Sequence, residues 1–411
     1  MGAARCAGTI ESVHVQAYHR RTERSNATGE VARCNRIAIG FSQYRVCARG
    51  MTRNNRHIHG LIIRTVRASA GALARQRLLT GLLLITMGAV LPVVLVECFF
   101  ASLHHLRHNP TGSEPSWNIP LLKNTPLFGC RLLPDRHVAA TMKKDSEIIW
   151  RATYSSDKYG RRATPVDNAG DRTFFAVFLG CSFTFGEGVN DDETLPFYTG
   201  KYAPKYMPYN YGIPGHGPNG MLFMMTDGRL RREIPQERGF GVFVYMDDIA
   251  RRVAGSMRVF WGRDQACYEI HDGRLQWMGS FRTAHPWRTW IYDRLLKSHT
   301  ISYLNVDIPP TPTRYYPLME TIIKEMDLVF RRQFPGSDFY VLIYPRHGNA
   351  WGHCVADDLR AAGLQCLDYR ELAPNADGDL FYADSHPVPR THETVAMQLV
   401  KDLNIGAPEG R

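Results

Sequence analysis

The stretch 178-FLGCSFTFGEGVNDDETLP-196 constrains the fold more than any other part of the chain. An apolar run from Phe174 to Leu179 breaks into the turn Gly180-Cys181-Ser182, and small residues follow. A parallel sheet presents a nucleophilic hydroxyl in this way, at the carboxyl end of a strand. Far downstream, 384-DSHP-387 offers an acid and a histidine two residues apart. A serine, a histidine and an aspartate at such separations are the parts of a nucleophilic acyl-transfer site.

Around this turn the apolar pattern keeps changing period. The strand Thr173–Leu179 is followed by a helix over ETLPFYTGKYA, a short strand near Tyr209–Gly212, a helix around Asn219–Arg231 and a strand Gly241–Met246. After residue 310 the order resumes. A helix Tyr316–Gln333 precedes the strand 339-FYVLIYP-345, a helix about Ala350–Ala362, a strand Gln365–Asp368 and a last helix about Thr391–Leu403. Strands alternating with helices predict an α/β fold, a three-layer α/β/α sandwich on a mainly parallel sheet. The domain is expected over 145–405, with 406–411 as a tail. Upstream, 147-EIIWRATYSSDKYGRRATP-165 alternates like strands with a turn near Lys158-Tyr159-Gly160. Residues 255–310 are expected as an insertion over the sheet. Its Trp261, Trp277, Trp287 and Trp290 fit core under a long insertion better than a sugar-stacking wall.

Leu78 to Val96 form 19 consecutive uncharged, mostly apolar positions, and after Glu97 the segment CFFASL carries the run to Leu103. About 20 such residues span a bilayer. Pro92 is tolerated inside a membrane helix. Arg64, Arg67, Arg75 and Arg77 precede the run, whereas His104, His105, Arg107 and His108 follow it. The arginine excess predicts a single-pass anchor at 77–103 in the inner (plasma) membrane, N-terminus cytoplasmic, with the bulk of the chain in the periplasm or its equivalent. A cleaved signal peptide fits less well, because it wants a shorter apolar core and a small-x-small site. Residues 1–77 hold 14 arginines, no lysine and 3 glutamates, which accounts for the whole net charge of +11. A basic tail on a neutral body argues against a nucleic-acid-binding domain. The leader 1–76 shows no sustained period and is expected to be poorly structured. Part of it reads as a mis-called translation start, with Met51 giving a shorter basic leader. Residues 104–144, rich in Pro, Asn and His, read as a juxtamembrane linker.

The order of motifs resembles the SGNH/GDSL hydrolase superfamily, α/β/α serine esterases and acyl hydrolases, over roughly residues 145–405. Gly180-Cys181-Ser182 matches the nucleophile turn, with Cys181 at the usual aspartate. In 209-YNYGIPGHGPNG-220 the spacing from Asn210 to Gly215 matches the oxyanion glycine. Asp384 and His386 match the C-terminal acid and base. The resemblance implies Ser182 as nucleophile, His386 as base, Asp384 as its orienting acid, and the N–H groups of Ser182 and Gly215 as oxyanion donors. The third block normally has an asparagine; Asp247 takes its place in 245-YMDDIARR-252, beside Asp248. A carboxylate there repels an oxyanion unless protonated or paired, and Arg251 or Arg252 supplies that pairing or is itself the donor. Alternatively, Asp247 and Asp248 cap the following helix. His216 reads as a loop residue near the cleft and His392 as a surface residue.

The resemblance implies ester hydrolysis through an acyl-enzyme, without metal or cofactor, on an acylated small molecule, glycan or lipid of the envelope. Transfer to a glycan hydroxyl, or a degenerate glycan-binding domain without turnover, are the alternatives. Nine cysteines form no CxxC pair. Cys354 and Cys366 are either a disulfide or two buried thiols.

Overall fold

The computed structural model describes residues 37–39, 42–44, 53–107, 121–144, 147–310, 312–349, 354–372 and 381–406. The chain divides into two units at Leu91 and Pro92. In the first, β1 (Ile37–Ile39) and β2 (Ser42–Tyr44) pair antiparallel, and the long helix α1 (Arg53–Arg107) begins. Its segment Gly71–Leu103 is long and apolar enough to cross a membrane, with a mean hydropathy of 2.4. The hydroxyls of Thr80, Thr86 and Ser102 each donate to the carbonyl four residues back, at 2.9, 2.7 and 2.9 Å, so these polar groups are satisfied within the helix. Residues 53–76 are therefore helical, against the expectation of a poorly structured leader. Once the apolar run has nucleated a helix, each added residue extends it at little further entropic cost. The rest of that expectation, apart from β1 and β2, lies outside the described residues, as do residues 108–120 of the expected linker.

In the second unit, β3 (Leu122–Thr125) and β4 (Gly129–Leu132) form an antiparallel hairpin, and β5 (His137–Lys144) pairs with β6 (Glu147–Ser155). Residues 121–144 are thus strands, not linker. Pro126 and Pro134, which suggested irregular chain, stand between these strands, where a missing N–H costs no ladder bond. Then comes the core sheet. β7 (Phe174–Gly180) leads through the short helix α2 (Ser182–Phe185) to α3 (Leu195–Tyr202) and β8 (Tyr206–Gly212). The helix expected over 219–231 is two, α4 (Pro218–Thr226) and α5 (Arg229–Glu233), because Gly228 takes φ +73 between them. β9 (Gly239–Tyr245) and α6 (Ile249–Ala254) follow. The insertion holds the hairpin β10 (Ala266–His271) and β11 (Arg274–Ser280), then α7 (Phe281–Ala284), α8 (Pro286–Leu295) and α9 (His299–Tyr303). α10 (Tyr316–Gln333), β12 (Asp338–Ile343), α11 (Val355–Ala361), β13 (Gln365–Asp368) and α12 (Pro389–Asp402) complete the chain.

The five strands lie in the order β13-β12-β9-β7-β8, all parallel. Alternate residues serve opposite layers, as the two-residue period of a strand requires. Phe175, Val177 and Leu179 of β7 pack with Met221, Ile322, Met326 and Phe330 on one side. Ala176 and Phe178 pack with Val395, Ala396 and Leu399 on the other. This is the expected three-layer sandwich. The direction of progression reverses between β7 and β9, and open α/β sheets bind ligands at such a switch point, outside the carboxyl ends of the strands.

Candidate active site

The site is built at that reversal. β7 ends in Gly180 and Cys181, and α2 begins at Ser182, whose hydroxyl-bearing side chain is buried with the rest of the turn. Cys181 is fully buried in the apolar cluster beneath α12, so the position where the resemblance expects aspartate is a packing position here. β8 approaches closely. A Cβ added to Gly212 would lie 2.2 Å from the Phe185 nitrogen, so no other residue allows this contact. The Asn210 amide, fully buried, donates to the Thr184 carbonyl at 2.9 Å and accepts from the Gly212 N–H at 2.9 Å. Asn210 thus ties strand β8 to the serine turn.

From the far end of the chain, the loop before α12 brings in 384–386. Its tight bend puts Ser385 at φ +71. His386 Nε2 lies 3.0 Å from Ser182 Oγ, and His386 Nδ1 lies 3.1 Å from Asp384 Oδ2. The His386 N–H also donates to Asp384 Oδ1 at 3.1 Å. Ser182, His386 and Asp384, separated by about 200 residues in the chain, form one hydrogen-bonded relay.

Three residues absent from the sequence reading hold this relay. Trp150 of β6 donates its indole N–H to Asp384 Oδ2 at 2.7 Å. Glu187, only 1% exposed, places Oε2 3.4 Å from His386 Nε2, the same nitrogen that meets the serine; among the described residues its Oε1 has no hydrogen-bond partner. Arg162, fully buried, pairs with Asp191 at 2.7 Å, donates to the carbonyls of Phe185, Gly186 and Val189, and lies against the rings of Tyr154 and Phe185. The loop that carries Glu187 is wrapped around this guanidinium. Tyr154 adds a bond from the Gly188 N–H at 2.9 Å. An acid between two glycines in an otherwise apolar turn was the available signal for Glu187; nothing local distinguishes Trp150 or Arg162.

Burial shapes the protonation states. It pushes the Glu187 carboxyl up to about 7, against the pull of His386. Burial also opposes the charged form of His386, but the Glu187 charge and the bond to Asp384 outweigh it and lift the imidazole above its ordinary value. Burial alone would raise Asp384; the bonds from His386 and Trp150 outweigh it and hold the carboxyl below the usual carboxylate range.

The other expected residues are elsewhere engaged. Gly215 takes φ +79, a conformation that favours glycine, and its carbonyl accepts from Gln265 at 2.9 Å. Asp247 accepts from the Gly348 N–H at 2.6 Å and lies 3.5 Å from His347 Nδ1. Asp248 is the N-cap residue of α6, but makes no side-chain cap bond; it pairs with Arg251 at 3.3 Å and Arg252 at 3.5 Å. The expected pairing of Asp247 with these arginines is therefore corrected: both go to Asp248, and Arg251 also reaches Asp307 at 3.1 Å. Neither capping nor arginine pairing accounts for Asp247. His347 packs its ring 5.2 Å from Phe183, the residue after the serine.

His216 lies in a loop, as expected, whereas His392, expected at the surface, does not lie there. His216 is fully buried, Nε2 2.8 Å from the Cys130 carbonyl, and His392 is fully buried, Nδ1 2.9 Å from Tyr344 Oη. Burial holds both near a pKa of about 3, hence neutral. Cys354 and Cys366 are free thiols. Two clusters of three potential metal ligands occur among the described residues, Cys267–Glu269–His285 and Glu187–Asp384–His386. In the second, both ring nitrogens of His386 are already engaged by Ser182 and Asp384. That geometry suits proton transfer to and from the serine hydroxyl.

No family model matches the chain, and no curated protein matches it. Among solved structures it is similar to a member of the lipolytic protein G-D-S-L family from Veillonella parvula DSM 2008, at 11% identity over 56% of this chain and 98% of that one, with a TM-score of 0.32. It is similar to an acetyl xylan esterase from the rumen bacterium Butyrivibrio proteoclasticus, at 12% identity over 61% of this chain and 67% of that one, TM-score 0.31. A carbohydrate esterase family 2 enzyme from Corynascus thermopiles (Myceliophthora fergusii) aligns at 12% identity over 59% of this chain and 68% of that one, TM-score 0.31. At TM-scores this low the likenesses carry no weight for a substrate or for the role of any residue; the site's chemistry rests on its own distances.

Proposed function

We propose that this chain is a membrane-anchored serine ester hydrolase of SGNH/GDSL type, removing an acyl or acetyl group from a glycan or lipid of the cell envelope. The observation that carries the reading is the Ser182–His386–Asp384 relay, with contacts of 3.0 and 3.1 Å. Ser182 Oγ attacks the ester carbonyl while its proton passes to His386 Nε2. Asp384 holds the other ring nitrogen protonated and steadies the imidazolium. The first N–H groups of a helix lack intrahelical acceptors, so the Ser182 N–H, with that of Gly215, receives the oxyanion. The alcohol leaves with the proton from Nε2, and water, activated by the same nitrogen, releases the acid from the acyl-enzyme.

Glu187 acts through His386. Its charge beside Nε2 favours the imidazolium, which sets the pH above which the base is free. α1 serves as the anchor, with the arginine-rich side cytoplasmic and the hydrolase domain in the periplasm or its equivalent. Full-length protein in detergent is expected to hydrolyse p-nitrophenyl acetate, and Ser182→Ala and His386→Ala to fall to the buffer rate. Equal rates for the wild type and either variant overturn the assignment.

A further inference from the structure

The insertion was expected to bury its tryptophans. Trp277, Trp287 and Trp290 are exposed instead. Along α8, Trp287, Trp290, Ile291 and Arg294 occupy positions i, i+3, i+4 and i+7, one face of a helix. The first three are 77%, 53% and 45% exposed, while Thr289 and Tyr292 are buried on the other side. The two indoles meet edge to face with centroids 6.5 Å apart, and the Arg294 guanidinium lies 5.4 Å from the Trp290 ring. Residues 286–297 carry Arg288, Arg294 and Lys297 against Asp293 alone. A helix with aromatic and basic residues outward matches one that lies in a bilayer interface, where indoles settle at the headgroup level and cations meet anionic lipid.

The contacts of Glu97 and Phe100, near the C-terminal end of α1, supply the second, independent observation. Glu97, the charge that interrupts the apolar run, accepts from Ser298 Oγ and Thr300 Oγ1 at 2.8 Å each and from the His299 N–H. The Phe100 ring lies tilted against Tyr303, centroids 4.9 Å apart. The C-terminal part of the membrane-crossing segment is thus fastened to α9 and its N-cap Ser298, with three residues between α8 and α9. At 1.5 Å per residue, the ten residues of α8 extend only about 15 Å from that point. A surface so close to the exit of a membrane helix meets the headgroup layer.

We propose that the outward face of α8 is a second membrane contact, an in-plane aromatic and basic surface that binds the anionic phospholipid of the bilayer α1 crosses. The contact holds the hydrolase domain against the membrane, which limits its substrates to esters near the lipid surface. This inference rests on α1 being a membrane anchor and not on the hydrolase chemistry.

The test uses full-length protein reconstituted in phosphatidylcholine–phosphatidylglycerol vesicles whose acyl chains carry bromine at a shallow or a deep position. Bromine quenches nearby indoles on contact. Wild-type emission is expected to be quenched, more by shallow than by deep bromine. The double variant Trp287→Phe, Trp290→Phe should lose most of that quenching, whereas Trp277→Phe, exposed elsewhere in the insertion, should keep it. Replacing phosphatidylglycerol with phosphatidylcholine should weaken it. A far-UV circular dichroism spectrum of the double variant that matches the wild type checks that it is folded. Equal quenching of wild type and double variant, in vesicles that retain the protein through an alkaline wash, overturns the α8 contact alone and leaves the face to another partner. Release of the protein by the wash overturns the anchor and this contact together.

Discussion

The two halves of the candidate site are held by different means. On one side, the exit of β7 and the loop before α12 present side-chain atoms at fixed distances, braced by Trp150, Asn210 and the Arg162 cage. On the other, the exits of β8 and β9 offer a glycine whose carbonyl is fixed by Gln265 and an aspartate committed to Gly348 and His347. On the proposed reading, the nucleophile half works through side chains and should tolerate no change at them. The proposed oxyanion half would work through backbone, so the identity of its one conspicuous side chain, Asp247, should matter less than the path of the chain.

That contrast predicts a graded series of losses. The largest falls on the nucleophile half: Ser182→Ala and His386→Ala should each lower kcat/KM by about 10⁴-fold or more, and the double variant should lose no more than either single one, because the two act as a unit. Gly215→Ala should cost about 10²-fold in kcat with little change in KM, since an alanine at φ +79 would displace the N–H proposed to receive the oxyanion. Glu187→Gln should move the acid limb of the kcat/KM profile to lower pH by about one unit. The sign follows from charge. His386 must be neutral to act as base, and Glu187 and Asp384 hold it above its ordinary value while Arg252 and burial oppose them. Removing the Glu187 charge lets the proton leave at lower pH. A limb that stays in place would show that Glu187 does not act through the imidazole. The smallest effect belongs to Asp247→Asn, less than about ten-fold in kcat/KM, because its carboxylate is already engaged outside the relay. A loss at Asp247 as deep as that at Ser182 would erase the distinction between the halves.

The sandwich and the relay were legible because each rests on local signals, a strand run breaking into Gly-x-Ser and an acid two residues before a histidine. α10 and β13 fall on the residues expected of them. The buttress was not legible. Trp150 and Tyr154 look like any alternating strand residues until the chain folds back on Asp384 and Gly188. His392 carries a readable signal: with Val395, Ala396 and Leu399 it follows the apolar stripe of α12, which puts it inside. The outward tryptophans of α8 were misread because aromatic residues normally favour burial in water, and only their helical phase shows which way they point.

One consequence follows from the way β6 serves the relay. Any shortened chain that begins at the apparent domain edge near residue 145 keeps Trp150 but strips away β5, its ladder partner over His137–Lys144. The indole that fixes Asp384 would then hang on an unpaired edge. A fragment that keeps the β5–β6 ladder has to start ahead of residue 137, inside what the sequence presents as mere spacer.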